Sequence, residues 1–183
     1  NRCRYRCWHC YNAGRSQEDL PLSVIREVAV DLQRLGAVMI TLSGGEPLLR
    51  GDLEEIAKGF DDRSCLCVNT TGDGLTPDRA RALGDSGIFA VGVSLDSIRE
   101  EEHDRMRGRE GAYREVRDGE IAWKRGRISR QGGSRPYPGV SAKDRGEGRP
   151  AHPLQLYLPG IVVGVRLRRG DHPLLHRWER RGL

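Results

Sequence analysis

The sequence predicts an α/β protein built on a parallel sheet with helical crossovers, and three observations carry that prediction. Segments with apolar residues every three or four positions alternate with short strand-like runs between residues 21 and 116. Gly, Pro and capping residues punctuate the joints, so the links are short and the crossovers right-handed. Polar residues gather at the C-terminal ends of the strand segments, the edge at which such sheets bind ligands.

Pro21 opens a helix carrying Ile25, Val28, Leu32 and Leu35 on one side and stopping at Gly36. AVMITLS follows as a strand, with Val38, Ile40 and Leu42 on one face and Met39, Thr41 and Ser43 on the other. GGEPLLR is the loop after it. Asp52 with Glu55 reads as a capping box for a second helix, whose Leu53, Ile56, Ala57 and Phe60 share a side. CLCVNTT is the next strand. Thr76 and Pro77 are the N-cap and first residue of a third helix that bears Ala80 and Leu83 and ends near Gly87. In the strand FAVGVSLD, Val91, Val93 and Leu95 form the apolar face, while Gly92, Ser94 and Asp96 face an interior. A further helix begins near Gly111 with Tyr113 and Val116, and its stripe breaks where Gly119 and Glu120 occupy the next apolar positions.

The chain of 183 residues suits one domain and is short for a closed barrel, which usually runs to about 250 residues. No apolar run approaches the roughly 20 residues of a membrane span, and no signal peptide is evident, so a cytoplasmic protein without a membrane partner is expected. Because Asn1 stands directly before the cysteine cluster, a fragment is expected. Residues 1–125 hold 19 Lys and Arg against 22 Asp and Glu, a net −3, whereas residues 126–183 hold 12 against 4, a net +8. The division is read as an ordered core at residues 1–119 and an irregular Arg-, Gly- and Pro-rich tail at residues 120–183 with one apolar run, LYLPGIVVGV. A disordered extension and a slipped reading frame both account for such a tail. A nucleic-acid-binding arm is disfavoured, since no organised helix or aromatic platform accompanies the arginines.

Five cysteines, all at or before Cys67, do not form a secreted disulfide framework, and a reducing compartment leaves thiolates free to bind metal. Cys3, Cys7 and Cys10 supply three soft ligands from one short loop, which select an iron–sulfur cluster or zinc over hard cations. A structural zinc site wants four ligands; His9 adjoins Cys10 too closely to share a metal with it, and Cys65 and Cys67 lie beyond two helices. Three ligands without a fourth leave one iron of a four-iron cluster open for chemistry. Cys65 and Cys67, on the face of Asn69, are read as small buried side chains. A zinc-binding or inert structural fragment is the alternative from another class.

The spacing CRYRCWHC resembles the CxxxCxxC signature of the radical S-adenosylmethionine superfamily, with His9 where an aromatic residue usually precedes the third cysteine. SGGEPLL at Ser43–Leu49, VNTTGDGLT at Val68–Thr76, VSLDS at Val93–Ser97 and HDRMRGREGAYREV at His103–Val116 extend the resemblance through about residue 119. It is nearest to the branch of molybdenum-cofactor cyclases, haem-modifying enzymes and peptide maturases. It implies a partial (β/α) barrel, incomplete in this chain because the first strand and the last strand–helix units are not recognisable. Gly160-Ile-Val-Val-Gly164 is only a chance echo of an expected adenine contact.

The resemblance also implies an enzyme holding a [4Fe-4S] cluster on Cys3, Cys7 and Cys10, with S-adenosylmethionine on its open iron. Reductive cleavage then gives a 5′-deoxyadenosyl radical that abstracts hydrogen from an unidentified substrate, a small molecule or peptide. A low-potential electron donor such as flavodoxin or ferredoxin is the implied partner. Gly44 and Gly45 would admit the ligand close to the backbone, Glu46 would face its ammonium, and Asn69, Ser94 and Asp96 would contact the nucleoside. His9 is read as a packing or adenine-contact residue. Arg107 is read as a solvated helix charge in preference to a partner for the cofactor carboxylate.

Overall fold

The computed structural model describes residues 2–14, 18–128, 154–158 and 161–166. The rest of the basic stretch beyond Ile128, on which the disorder, reading-frame and nucleic-acid expectations mostly fall, lies outside the described residues. In chain order the elements are α1 (Leu22–Arg34), β1 (Met39–Ser43), a 3-10 turn (Pro47–Leu49), α2 (Leu53–Ala57), β2 (Cys65–Thr70), α3 (Pro77–Asp85), β3 (Ala90–Val93), α4 (Glu100–Arg107), α5 (Ala112–Ile128), β4 (Leu154–Leu158) and β5 (Ile161–Arg166).

Among the described residues the strands form one sheet in the order β3-β2-β1-β5-β4. The first three are parallel, with Thr41 opposite Cys67 and Asn69 opposite Gly92, as the alternation of helix and strand predicts. The apolar run of the tail is divided into β4 and β5, which pair with each other and, through β5, antiparallel to the other edge of β1, Thr41 lying opposite Gly164. One face of the parallel strands is the core. Ile40, Leu42, Leu66 and Val68 pack there with Leu32 of α1, Ile56 of α2 and Leu83 of α3, all at most 2% exposed. Each such side chain contributes roughly 1.5–3 kcal/mol of burial. A one-residue slip would turn that set outward, so burial fixes the register and leaves Ser43 and Asn69 at the strand ends on the opposite face.

Two local expectations meet a different outcome, and α4 is a helix that the periodicity does not announce. Asp52 makes no side-chain cap for α2, because the buried Arg50 takes its carboxylate: Nε donates to Oδ1 at 2.6 Å and Nη2 to Oδ2 at 3.0 Å. Glu55 pairs instead with Lys58. Helix α4 has no apolar stripe to announce it, since its buried residues are His103 and Arg107. Helix α5 does not break at Gly119. Its next turn buries Ala122 and Trp123, and a Cβ on Gly119 would lie 3.3 Å from the Gly72 backbone. The glycine stands in an apolar position because the loop after β2 crosses the helix there. Asp104 of α4 caps α5 from outside, accepting from Gly111 N at 2.7 Å and Tyr113 N at 2.8 Å.

Candidate active site at the cysteine loop and the strand ends

The cysteine loop is fastened at both ends to the glycine-rich loop and at its middle to α4. Glu46 N donates to Arg2 O at 2.8 Å, and Asn12 Nδ2 donates to Gly44 O at 3.0 Å. Arg6 N donates to Arg107 O at 3.0 Å and Trp8 N to Met106 O at 3.4 Å, so the loop uses carbonyls that the end of a helix leaves free. Gly108 makes this approach possible. It has φ +62° at the C-cap of α4, and a Cβ there would lie 2.5 Å from Arg6 O. Tyr5 is the loop's anchor: it is 7% exposed, its hydroxyl donates to Glu115 of α5, and Arg109 lies 5.2 Å above its ring. Burial and the Glu115 carboxylate push the Tyr5 phenol well above its ordinary value, so it stays a donor.

Cys3, Cys7 and Cys10 line one side of a cavity of about 620 Å³, and Ser43, Gly44, Gly45, Asn69, Thr70 and Ser94 at the strand ends line the other. All three thiols are free. Protein surrounding its sulfur pushes the Cys3 thiol up although the residue is largely exposed; donation from Tyr5 N opposes this, and negative charge on Glu46, Cys7 and Cys10 adds to it. As metal ligands the three sulfurs would carry like charge at close range, which a cationic partner would offset. The donor set is all sulfur. Among the described residues no three metal-ligating side chains converge on a single ion. Cys65 is buried as expected, whereas Cys67 is only partly buried; the protein around its sulfur pushes its thiol up to about 12, which keeps it neutral.

The remaining expected residues fall into two groups. Gly44, Gly45, Asn69 and Ser94 reach the cavity wall. Asn69 leans across Gly92, where a Cβ would come within 2.7 Å of its Oδ1, so the glycine makes room for the amide. Glu46 turns away into the protein and is 4% exposed. Its Oε1 accepts from Thr70 Oγ1 at 2.6 Å and Leu48 N at 3.0 Å, and its Oε2 from Thr71 N at 2.7 Å and Thr71 Oγ1 at 2.6 Å. That carboxylate clamps the glycine-rich loop to the end of β2.

Asp96 is also engaged. Arg107 Nη2 donates to its Oδ1 at 2.9 Å, Arg107 Nε forms an ion pair with Oδ2 at 2.7 Å, and His9 Nε2 approaches Oδ2 at 3.6 Å. Arg107 is therefore not a solvated charge, being only 9% exposed. Thr70, Thr71 and His103 lie inside the VNTTGDGLT and HDRMRGREGAYREV stretches, but nothing in their spacing marks a role for them. The threonines are identified only through Glu46. His103 is fully buried on α4, its Nδ1 accepting from Asp96 N at 3.2 Å, and burial pushes its imidazole below the ordinary value, keeping it neutral.

Comparison with known proteins follows the same residues. The model of the Radical SAM superfamily matches residues 1–128. The chain is 35% identical over 121 residues to the probable GTP 3',8-cyclase of Methanocella arvoryzae, covering 65% of this chain and 39% of that protein. It is 36% identical over 116 residues to the Fe-coproporphyrin III synthase of Methanosarcina barkeri, covering 61% and 29%. With the pre-heme d1 synthase of Dinoroseobacter shibae it shares 34% identity over 128 residues, covering 68% and 31%. The chain thus spans between 29% and 39% of the length of these curated relatives. With the family model extending from the cysteine loop to the end of α5, the chain belongs to the radical SAM superfamily.

Proposed function

We propose that this chain is the cofactor-binding part of a radical SAM enzyme, holding a [4Fe-4S] cluster on Cys3, Cys7 and Cys10 and S-adenosylmethionine against the strand ends. The observation that carries this reading is the single cavity shared by three free thiols and the carboxyl edge of a parallel sheet. When bound, the cluster supplies one electron for reductive cleavage of S-adenosylmethionine to a 5′-deoxyadenosyl radical, which takes hydrogen from a substrate.

The residues divide the labour by position. Tyr5, Arg6 and Asn12 hold the thiols toward the cavity, and Gly44 and Gly45 let a ligand approach the backbone that Glu46 locks to β2. Asn69 and Ser94 offer polar contacts to the nucleoside. Asp96 would reach ribose hydroxyls only while sharing its carboxylate with Arg107. The relatives are a GTP cyclase and two synthases of haem-type compounds, and what they share with this chain is this segment. Substrate choice is therefore assigned to regions outside it. Five free thiols suit a reducing, cytoplasmic setting with a low-potential donor such as flavodoxin or ferredoxin. Among the described residues no helix is long and apolar enough to cross a membrane.

Anaerobic reconstitution with iron and sulfide tests the proposal. A brown protein whose visible absorption bleaches on reduction supports it, and Cys7→Ala should abolish the colour. Stoichiometric zinc without colour would favour a structural metal site instead.

A further inference from the structure

Arg107 is the last residue of α4, almost fully buried, and its guanidinium faces two groups at once. Nη2 and Nε meet the Asp96 carboxylate at 2.9 and 2.7 Å, while Nη1 points to Cys7 Sγ at 3.7 Å. Both neighbours are also held by bonds that do not involve the guanidinium. Asp96 N donates to His103, one turn earlier on the same helix, and the residue before Cys7 donates its N–H to the Arg107 carbonyl. The fork is thus fixed between a carboxylate and a thiol, at a distance suited to an N–H···S contact. Arginine stays protonated at any working pH, so its charge here is permanent.

Resting on the reading that Cys7 ligates the cluster, we propose that Arg107 sets the cluster's reduction potential and that Asp96 moderates it. Hydrogen bonds to ligating sulfur and local net charge are two of the levers by which a protein tunes such a cluster. A guanidinium beside a ligating sulfur favours the reduced state, which carries one more negative charge. Asp96 offsets part of that field. The two residues therefore push in opposite directions, which a purely structural pair would not do.

The test is a redox titration of the full chain, reconstituted anaerobically and followed by electron paramagnetic resonance, with iron content measured in parallel. At a fixed solution potential, Arg107→Gln should lower the ratio of reduced to oxidised cluster about tenfold, a shift of 59 mV downward for a one-electron couple. Asp96→Asn, which keeps an acceptor for Arg107 but removes the charge, should raise that ratio severalfold. Should Arg107→Gln fail to hold a cluster, Asp96→Asn alone decides, an upward shift supporting the role and any other result overturning it. Equal ratios at equal iron content, or shifts of the same sign, overturn it. So does loss of the cluster in both variants, which would assign the pair to holding the loop. A parent chain that binds no iron defeats the proposed function itself and this inference with it.

Discussion

Replacing Gly108 by alanine should undock the cysteine loop while leaving the sheet intact. Its φ of +62° is the left-handed conformation, which costs an L-residue about 1–2 kcal/mol. The added Cβ would also lie 2.5 Å from Arg6 O, 3.0 Å from Arg6 C and 3.2 Å from Arg6 Cβ, and backbone atoms cannot rotate away as a side-chain tip can. Reaching the 3.4 Å at which ordinary contact begins requires a displacement of roughly 0.9 Å, enough to break the 3.0 Å bond from Arg6 N to Arg107 O. That bond adds about 0.5–1.5 kcal/mol, so docking weakens by about 1.5–3.5 kcal/mol, or roughly 10- to 400-fold.

The assay is amide hydrogen exchange at Arg6 and Trp8, with iron uptake measured alongside. Gly87→Ala is the control, since Gly87 has φ +107° but nothing within 4 Å of an added Cβ, and it should lower melting without touching either amide. Unchanged protection and iron binding in Gly108→Ala would refute the reasoning.

Two further predictions follow from the polar contacts. Glu46→Gln should destabilise the fold by about 3 kcal/mol in urea, because an amide nitrogen would face the Thr71 or Thr70 donors and leave a buried donor unpaired; a midpoint within error of the parent would remove Glu46 from its clamping role. Tyr5→Phe should cost about 1–2 kcal/mol through the lost bond to Glu115. Burial opposes ionisation of Glu115, yet Arg109 and Tyr5 hold its carboxyl below the usual value near 4.5. Its contribution is therefore complete above that value and lost as pH falls through the lower folded one, so the parent should lose more stability on acidification than Tyr5→Phe. Parallel pH profiles for the two would contradict the pairing.

What could be read from the residues, and what could not, divides along local and non-local lines. The thiol spacing, the strands ending at Ser43 and Thr70 and the Thr76 cap depend on neighbours in sequence, and Thr76 does accept from Arg79 N at 3.2 Å. Helix α4 escaped because its buried side is His103 and Arg107, residues whose burial rests on partners in the cysteine loop and after β3. The break expected at Gly119 failed for the same reason, the contact with Gly72 being invisible to a periodicity within one helix. At Asp52 a local signal lost to a stronger one, since a buried arginine fork outcompetes an N-terminal amide for a carboxylate.

Electron paramagnetic resonance of the reduced, reconstituted chain, recorded with and without S-adenosylmethionine, tests the central claim most directly. The account predicts about four irons per chain, a signal that changes when the sulfonium nucleotide is added, and loss of both in Cys7→Ala. A chain that binds iron yet gives a signal indifferent to the nucleotide would contradict it.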